Sequence, residues 1–269
     1  MQDEKISQVK ADLSKKLHKN FENSEPHFYL DGWTGAVVFD LDRKYLIKIT
    51  NSETIESQVE FLRENPRNIF SNVICYDLEV GYICLEFIEG VKYNEAKLNA
   101  KDALWQVSNI VKNYREYPHA EGYGFLRHEF PTWKEFLRDE IDYARGYIPT
   151  ISTDKVMAAL DAIGNKQPKQ YLMHGDFGTH NFLVEKSGRI RVIDPMPVVG
   201  DYLYDFYFAI LSNTNIFTIV GADYIYSFFD RDIEEKKALL TIALYVRMSR
   251  AFKYDRENFD AYTKMYANI

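Results

Sequence analysis

The sequence predicts an α+β protein with two lobes, in which a β-rich first third precedes a mostly helical remainder. Two observations carry this prediction. Up to Phe87, most apolar residues fall in short runs rich in Val, Ile, Phe and Tyr, separated by turn residues. After Glu89-Gly90, the apolar residues recur at helical spacing. The chain has 269 residues, of which 46% are hydrophobic, so it can bury a large core.

The first third contains two helical patterns around several strand patterns. Ile6, Val9 and Leu13 recur at helical spacing and predict a helix over the first ~20 residues. A second helix is expected from about 52 to 64, and Pro66 ends it. Strands are expected at 27–30, 35–40, 44–50, 73–77 and 81–87.

The remainder of the chain reads as helices with one small hairpin. Thr132-Trp133-Lys134-Glu135 fits a capping box, so a helix is expected from there to about Tyr147. Another helix is expected over 154–163, and helices run from about 202 to the end. Strands at 182–184 and 190–192 form the hairpin. We therefore divide the chain into an N-terminal lobe, 1–88, and a C-terminal lobe, 89–269.

Charge and composition exclude several classes of function. The formal net charge of −7 argues against nucleic-acid binding, which depends on clustered Lys and Arg, and is compatible with a cationic small molecule. Cys75 and Cys84 form no paired CxxC motif, so neither zinc nor a disulfide framework is indicated. The apolar segment 202–220 is interrupted by Asp205, which disfavours a membrane span. Because no signal peptide is evident either, a cytoplasmic protein is expected.

The most informative stretch is His174-Gly175-Asp176-Phe177-Gly178-Thr179-His180-Asn181, followed by Ile193-Asp194. An aspartate on a tight loop after an apolar run, an asparagine five positions on, and a second aspartate after a short hairpin form the layout of a phosphoryl-transfer site. Asp176 is the candidate catalytic carboxylate, which would orient a substrate hydroxyl and accept its proton. Taken alone, Asp176 is equally explained as a turn residue, and the joint spacing favours the catalytic role.

Asn181 and Asp194 are the candidate ligands of Mg²⁺. Magnesium takes a few protein oxygens and completes its shell with water and phosphate oxygens. One amide carbonyl and one carboxylate fit that demand. The alternatives are a turn residue at Asn181 and a strand-ending cap at Asp194.

Lys48 is the candidate phosphate-binding cation of the first lobe. It lies mid-strand among apolar neighbours, so it can point into a cleft and hold the nucleotide's phosphates. Such a lysine needs a carboxylate partner from the next helix. Glu56, on the flank of that helix's apolar stripe, is our choice, with Glu60 as the runner-up.

Two further segments are candidate nucleotide contacts. Gly32 and Gly35 bracket a turn whose backbone can approach phosphates closely, although a plain hairpin turn explains them equally well. Glu86 and Ile88 lie where an apolar strand leads into the predicted linker. The carbonyl of Glu86 and the N–H of Ile88 are the groups that we expect to pair with an adenine.

Taken together, the motifs resemble those of the aminoglycoside phosphotransferase family, a branch of the protein-kinase-like fold. The family pattern H-G-D-x-x-x-x-N is present as His174 to Asn181, its I-D motif as Ile193-Asp194, and its G-D-x-x-x-D as Gly200 to Asp205. The sequence Asp-Phe-Gly-Thr-His-Asn at residues 176–181 is similar to the motif of the hygromycin phosphotransferase branch. The resemblance implies ATP or GTP, Mg²⁺, and phosphate transfer to a hydroxyl of an aminoglycoside-like small molecule. It makes 1–88 the expected nucleotide-binding lobe and 89–269 the expected catalytic and substrate-binding lobe.

Several alternatives stay open. The same resemblance covers metabolic kinases of choline, homoserine, sugars or macrolides, and a non-catalytic nucleotide-binding pseudokinase is a further reading. A protein kinase is disfavoured because too few residues separate Asp194 from Gly200 for an activation loop. Carboxylates on the helix near 132–147 could meet substrate ammonium groups or simply face solvent: Glu135, Asp139, Glu140 and Asp142. The oligomeric state is left open.

Overall fold

A five-stranded antiparallel sheet forms most of the N-terminal part of the computed structural model, which describes residues 2–29, 36–213 and 219–269. The strands lie in the order β1-β2-β3-β5-β4. Their bounds are β1 His27–Tyr29, β2 Val37–Leu41, β3 Tyr45–Ile49, β4 Val73–Asp77 and β5 Tyr82–Glu86. Strand β3 is central and pairs with both β2 and β5, so Lys48 lies in the middle of the sheet.

Helix α1, Gln2–Leu17, covers one face of this sheet. Val9 and Leu13, one helical turn apart, are fully buried against Phe39 and Ile47 of strands β2 and β3. Buried residues recur every three to four positions along the helix, so one apolar face of it packs against the sheet.

Helix α2, Ser52–Glu64, connects strands β3 and β4 and packs against the helical part of the chain. Asn51 caps its N-terminus by accepting a hydrogen bond from the N–H of Thr54 at 2.8 Å. Ile55 and Phe61 are fully buried in a core that extends without a break into the helical part. The helix therefore lies between the sheet and the loop that carries Asp176, described below.

Helices form most of the C-terminal part. Their bounds are α3 Ala100–Lys112, α4 Trp133–Tyr147, α5 Asp154–Ile163, α6 Tyr202–Leu211, α7 Ala222–Tyr226, α8 Ile233–Tyr254 and α9 Arg256–Asn268. The long helix α8 packs against α4, α5, α6 and α9 and is buried along most of its length. The predicted capping box at Thr132 and Glu135 is confirmed, with both reciprocal hydrogen bonds present.

Two small antiparallel sheets lie within this helical part. One has the order β11-β10-β6, and the other β8-β7-β12-β9. Their bounds are β6 Val91–Lys92, β7 Tyr123–Phe125, β8 His128–Phe130, β9 Tyr171–Met173, β10 Phe182–Val184, β11 Ile190–Val192 and β12 Val198–Gly200. The predicted hairpin is the β10–β11 pair, whereas the four-stranded sheet was not predicted from the sequence.

The α+β fold class is confirmed, with a sheet-rich N-terminal part and a helical C-terminal part. The division at residue 88 stays a prediction. Within the described residues, no helix combines the length and the apolar character needed to cross a bilayer.

Candidate active site

The loop that carries the candidate residues Asp176 and Asn181, called the catalytic loop after its predicted role, runs from the end of β9 to the start of β10. It includes a 3₁₀ turn at Thr179–Asn181. It begins with a sharp turn at Gly175, where φ is +77°. A Cβ atom at Gly175 would lie 2.0 Å from the carbonyl oxygen of Met196. Only glycine therefore fits there, and it allows Asp176 to follow directly on a buried strand.

Asp205, on helix α6, fixes the start of this loop. Its Oδ2 accepts hydrogen bonds from the N–H of His174 at 3.0 Å, the N–H of Gly175 at 3.2 Å and the hydroxyl of Tyr114 at 2.9 Å. Burial raises the pKa of this carboxyl to about 7, against the lowering effect of these donors. Asp201, at the start of the same helix, caps it by accepting a hydrogen bond from the N–H of Leu203.

Asn181 and His180 hold the carboxylate of Asp176. The Nδ2 of Asn181 donates to Asp176 Oδ2 at 3.1 Å and to the Asp176 carbonyl at 2.9 Å. The Nε2 of His180 lies 3.1 Å from the same Oδ2. Because Asn181 uses its amide nitrogen in these contacts, its amide oxygen is left for another partner.

The electrostatic surroundings keep Asp176 ionised. Burial acts to raise its pKa, but the hydrogen bond and charge of His180 and the charge of Arg250 outweigh it. The net effect holds the pKa of Asp176 well below its ordinary value. At neutral pH this side chain is therefore an anion that can only accept hydrogen bonds.

Backbone hydrogen bonds join the catalytic loop to the segment that carries Asp194. The N–H of Ile193 donates to the carbonyl of Asn181 at 3.0 Å, and the N–H of Met196 donates to that of His174 at 2.9 Å. His174 itself is buried, and its Nε2 lies 2.9 Å from the Ile193 carbonyl. Burial lowers the pKa of His174 to about 4, so the ring is neutral and Nε2 carries the donated proton.

The side chain of Asp194 meets two residues from the N-terminal part. Lys48 Nζ forms an ion pair with Asp194 Oδ1, and Gln58 Nε2 donates to the same oxygen at 3.2 Å. Gln58 also donates to the carbonyl of Pro195 at 2.8 Å. The backbone of Asp194 is left-handed, with φ at +56°. The structure thus brings Asp176, Asn181, Asp194 and Lys48 to one place.

The sequence predicted an ion pair between Lys48 and Glu56, but in the structure Lys48 pairs with Asp194. Glu56 lies 3.7 Å from Arg127 Nε, and the runner-up Glu60 contacts Arg127 and Tyr117. The flank of α2 that carries these glutamates faces the turn between β7 and β8 rather than β3. The α2 residue that reaches the site is Gln58, which lies on the buried side of the helix.

The remaining predicted nucleotide contacts are placed only in part. Gly32 and Gly35 lie outside the described residues. Glu86 ends strand β5, and its N–H donates to the carbonyl of Asn72 at 2.8 Å. Ile88 lies two residues after Glu86 and is buried. The two thus sit where the sheet passes into the C-terminal part.

The donor set fits a magnesium ion of the kind that binds phosphates. The amide oxygen of Asn181 and the carboxylate of Asp194, whose side chain is 45% exposed, are hard oxygen donors on neighbouring loops. Among the described residues there is no cluster of three or more His, Cys, Asp or Glu side chains that could form a cage around a metal. A metal bound here would therefore take most of its ligands from phosphate and water.

Four residues of the site were not found from the sequence: Gln58, His180, Arg250 and, in its loop-anchoring role, Asp205. His180 lies inside the motif, and a charged residue such as Asp205 in an apolar helix is itself a signal of a buried role. Arg250 is 74 residues from Asp176, with which its Nη1 forms a contact of 3.1 Å. No pattern in the sequence indicates that contact.

A model of the phosphotransferase enzyme family matches residues 28–239, which is well over half of the chain. The chain belongs to this family. A search of curated protein sequences returns no match.

Solved structures of similar fold cover nearly the whole chain. One is a thermostable mutant of aminoglycoside phosphotransferase APH(4)-Ia, with 18% identity, 96% of each chain covered and a TM-score of 0.57. Another is choline kinase LicA from Streptococcus pneumoniae, with 16% identity, 100% of both chains covered and a TM-score of 0.58. A third is the GDP complex of aminoglycoside 2'-phosphotransferase-IIIa, with 9% identity, 96% and 97% covered and a TM-score of 0.59. At these identities the likeness shows the fold, and the family match shows a phosphotransferase.

Proposed function

We propose that this phosphotransferase moves the terminal phosphate of ATP or GTP to a hydroxyl of an aminoglycoside-like small molecule, with Mg²⁺ as cofactor. The observation that carries the proposal is the hydrogen bond of Asn181 to Asp176 beside the Lys48–Asp194 ion pair. The candidate proton acceptor, the two candidate metal-binding oxygens and the candidate phosphate-binding cation would then lie together between the proposed lobes 1–88 and 89–269.

Asp176 would orient the acceptor hydroxyl and receive its proton. Its low pKa does not disqualify it, because the transition state of phosphoryl transfer is loose and the proton leaves late. Its value to the reaction is that it is ionised and fixed in one orientation by Asn181 and His180.

The nucleotide would bind through Lys48 and the end of β5. The ammonium of Lys48 is buried, so its attraction for phosphate is little weakened by solvent. The adenine or guanine would meet the backbone at Glu86 and Ile88. Related structures contain ADP or GDP, and these two nucleotides support both ATP and GTP as donors.

Asn181 and Asp194 would hold Mg²⁺. The chemistry that such an ion would supply is neutralisation of charge on the nucleotide's phosphates. Asp194 is already held in place by Gln58, and Asn181 by its bonds to Asp176, so neither side chain has to be ordered at the time of binding.

A cavity of about 430 Å³ beside the catalytic loop is the candidate acceptor site. One of its lining residues, Ser212, accepts a hydrogen bond from the N–H of Thr179 in that loop at 2.7 Å. Asn94 and Asn258 add further uncharged polar groups to the wall. Asp255 is the one charged side chain among the described lining residues.

One observation favours a second candidate, another small alcohol of the choline, homoserine, sugar or macrolide type. Three of the acidic residues on or near α4 already have partners in the protein: Glu135 in the capping box, Glu140 with Arg250 and Asp142 with Arg145. A polycationic acceptor usually needs several unpaired carboxylates, and the described wall of the cavity offers only Asp255.

The test is a phosphorylation screen with both nucleotides and Mg²⁺ over aminoglycosides, amino alcohols and sugars. Transfer to an aminoglycoside supports the first candidate, and transfer to an amino alcohol or a sugar alone supports the second. Asp176→Asn should lower the rate of transfer by about 10²- to 10⁴-fold in either case. If nucleotide turnover is the same in this variant, the catalytic assignment of Asp176 is wrong.

A further inference from the structure

Arg250, near the end of helix α8, joins the catalytic aspartate to a second carboxylate. Its Nη1 lies 3.1 Å from Asp176 Oδ1, and its Nη2 lies 3.7 Å from Glu140 Oε2 on helix α4. The guanidinium also lies over the ring of Phe208, 4.5 Å from its centroid. Three separate helices therefore determine where this one guanidinium lies.

Glu140, the partner on α4, is a buried side chain and not a surface charge. Glu140 is only 7% exposed and faces the interior of the helical part. A buried carboxylate needs a nearby cation, and the contact with Arg250 provides it. Because Glu140 and Phe208 hold the guanidinium from two sides, Arg250 has little freedom to swing away from Asp176.

Counting lone pairs on Asp176 indicates which oxygen is used in the reaction. A carboxylate offers about four acceptor positions, two on each oxygen. Oδ2 already receives Asn181 Nδ2 and His180 Nε2, both at 3.1 Å. Oδ1 receives Arg250 alone among the described residues. The position left for an acceptor hydroxyl is therefore on Oδ1, next to the guanidinium.

We propose that Arg250 is a positioning residue that fixes Asp176 so that Oδ1 takes the proton of the acceptor hydroxyl. This inference rests on the proposed phosphoryl transfer. In that step the acceptor oxygen forms a bond to the terminal phosphorus, and the bond from this phosphorus to the bridging oxygen of the nucleotide breaks. The hydroxyl proton passes to Oδ1, and the nucleoside diphosphate leaves with the bridging oxygen. Arg250 stays paired throughout and exchanges no atoms.

The experiment measures the hydrolysis of ATP and GTP in the presence of Mg²⁺, with water in the acceptor position, for the wild type and Arg250→Ala. We expect kcat to fall about 10- to 100-fold, because a small displacement of Asp176 costs that much. The KM for the nucleotide should stay within about twofold, since Arg250 contacts no predicted nucleotide-binding residue. Millimolar guanidinium should restore part of kcat by occupying the space between Glu140 and Asp176. Arg250→Lys should give an intermediate kcat.

Arg247→Ala is the matched control. Arg247 lies one turn earlier on α8 and also faces the ring of Phe208, at 5.6 Å. In the described part of the chain its side chain has no carboxylate partner. This variant should keep kcat and gain nothing from guanidinium. Equal losses in both variants without rescue would show a purely structural role and overturn the proposal.

The folded state of each variant is checked by thermal unfolding, and Arg250→Lys keeps the test decisive if the alanine variant does not fold. An unchanged kcat in a folded Arg250→Ala, or in Arg250→Lys when the alanine variant is unfolded, would overturn the inference. Asp176→Asn separates this failure from that of the proposed function. If turnover needs Asp176 but not Arg250, only the positioning role of Arg250 fails. If turnover does not need Asp176, the proposed function fails as well.

Discussion

Removing the carboxylate of Asp205 should destabilise the protein strongly, because three buried donors depend on it. Asp205→Ala leaves the Tyr114 hydroxyl and the N–H groups of His174 and Gly175 without their acceptor at 2.9, 3.0 and 3.2 Å. Each unsatisfied buried donor costs roughly 1–3 kcal/mol, which sums to about 3–9 kcal/mol. Relaxation and entry of water reduce that sum, so we expect a loss of about 3–5 kcal/mol in the free energy of unfolding.

Asp205→Asn separates the loss of the acceptor from the loss of the charge. Its amide oxygen can still accept hydrogen bonds, and burial raises the pKa of Asp205 to about 7, so the loss of the charge itself should cost little near neutral pH. We therefore expect this variant to lose only about 1 kcal/mol. Tyr114→Phe, which removes one donor and leaves the carboxylate, should lie between the two.

Urea unfolding followed by far-UV circular dichroism measures all three variants. An alanine variant that unfolds within about 1 kcal/mol of the wild type would show that Asp205 does not hold the loop. Equal losses in the alanine and asparagine variants would show that charge, rather than the number of accepted hydrogen bonds, decides the stability. Either result would refute the role of Asp205 as the shared acceptor of these three donors.

Three further outcomes are expected. Asp176→Asn should lower kcat by about 10²- to 10⁴-fold in a nucleotide turnover assay, because the proton acceptor is lost, and an unaltered rate would contradict its role. Lys48→Met should lower kcat/KM for the nucleotide by about 10²- to 10³-fold, because it removes the buried cation, and a wild-type value in that assay would exclude Lys48 from phosphate binding. Burial lowers the pKa of His174 from 6.5 to about 4, so this residue's contribution to stability is present above pH 6.5 and is lost as the pH falls toward 4. The stability advantage of the wild type over His174→Gln should thus shrink by about 2 kcal/mol between pH 7 and pH 5, and a constant difference in urea unfolding would show that His174 does not titrate this way.

Elements marked by a clear pattern of apolar and turn residues were predictable from the sequence. The helix at Ser52–Glu64 and the hairpin formed by Phe182–Val184 and Ile190–Val192 have the predicted bounds. In each, local pattern and tertiary packing favour the same structure. Strands β7, β8 and β12 were not predicted, and β12 is defined by its pairing with β7 and β9 from distant parts of the chain.

The site was predictable where its residues are close in sequence. Asp176 and Asn181 are joined by a short loop, so their spacing alone restricts their geometry. Glu56 was placed from the helical period, which gives the face of a helix but not the element opposite that face. The structure puts the β7–β8 turn there, and Arg127 in that turn takes Glu56 as its partner. Arg250 reaches the site through helix packing, which no local pattern encodes.

The contact between Lys48 and Asp194 would make nucleotide binding, as proposed above, an exchange of partners. The ammonium already has an anionic partner, so an incoming triphosphate would replace one partly buried ion pair with another, and the net gain would be the difference between the two. The same exchange would free a carboxylate oxygen for a divalent cation. Under this proposal phosphate and cation favour each other's binding, and each should bind more weakly when offered alone.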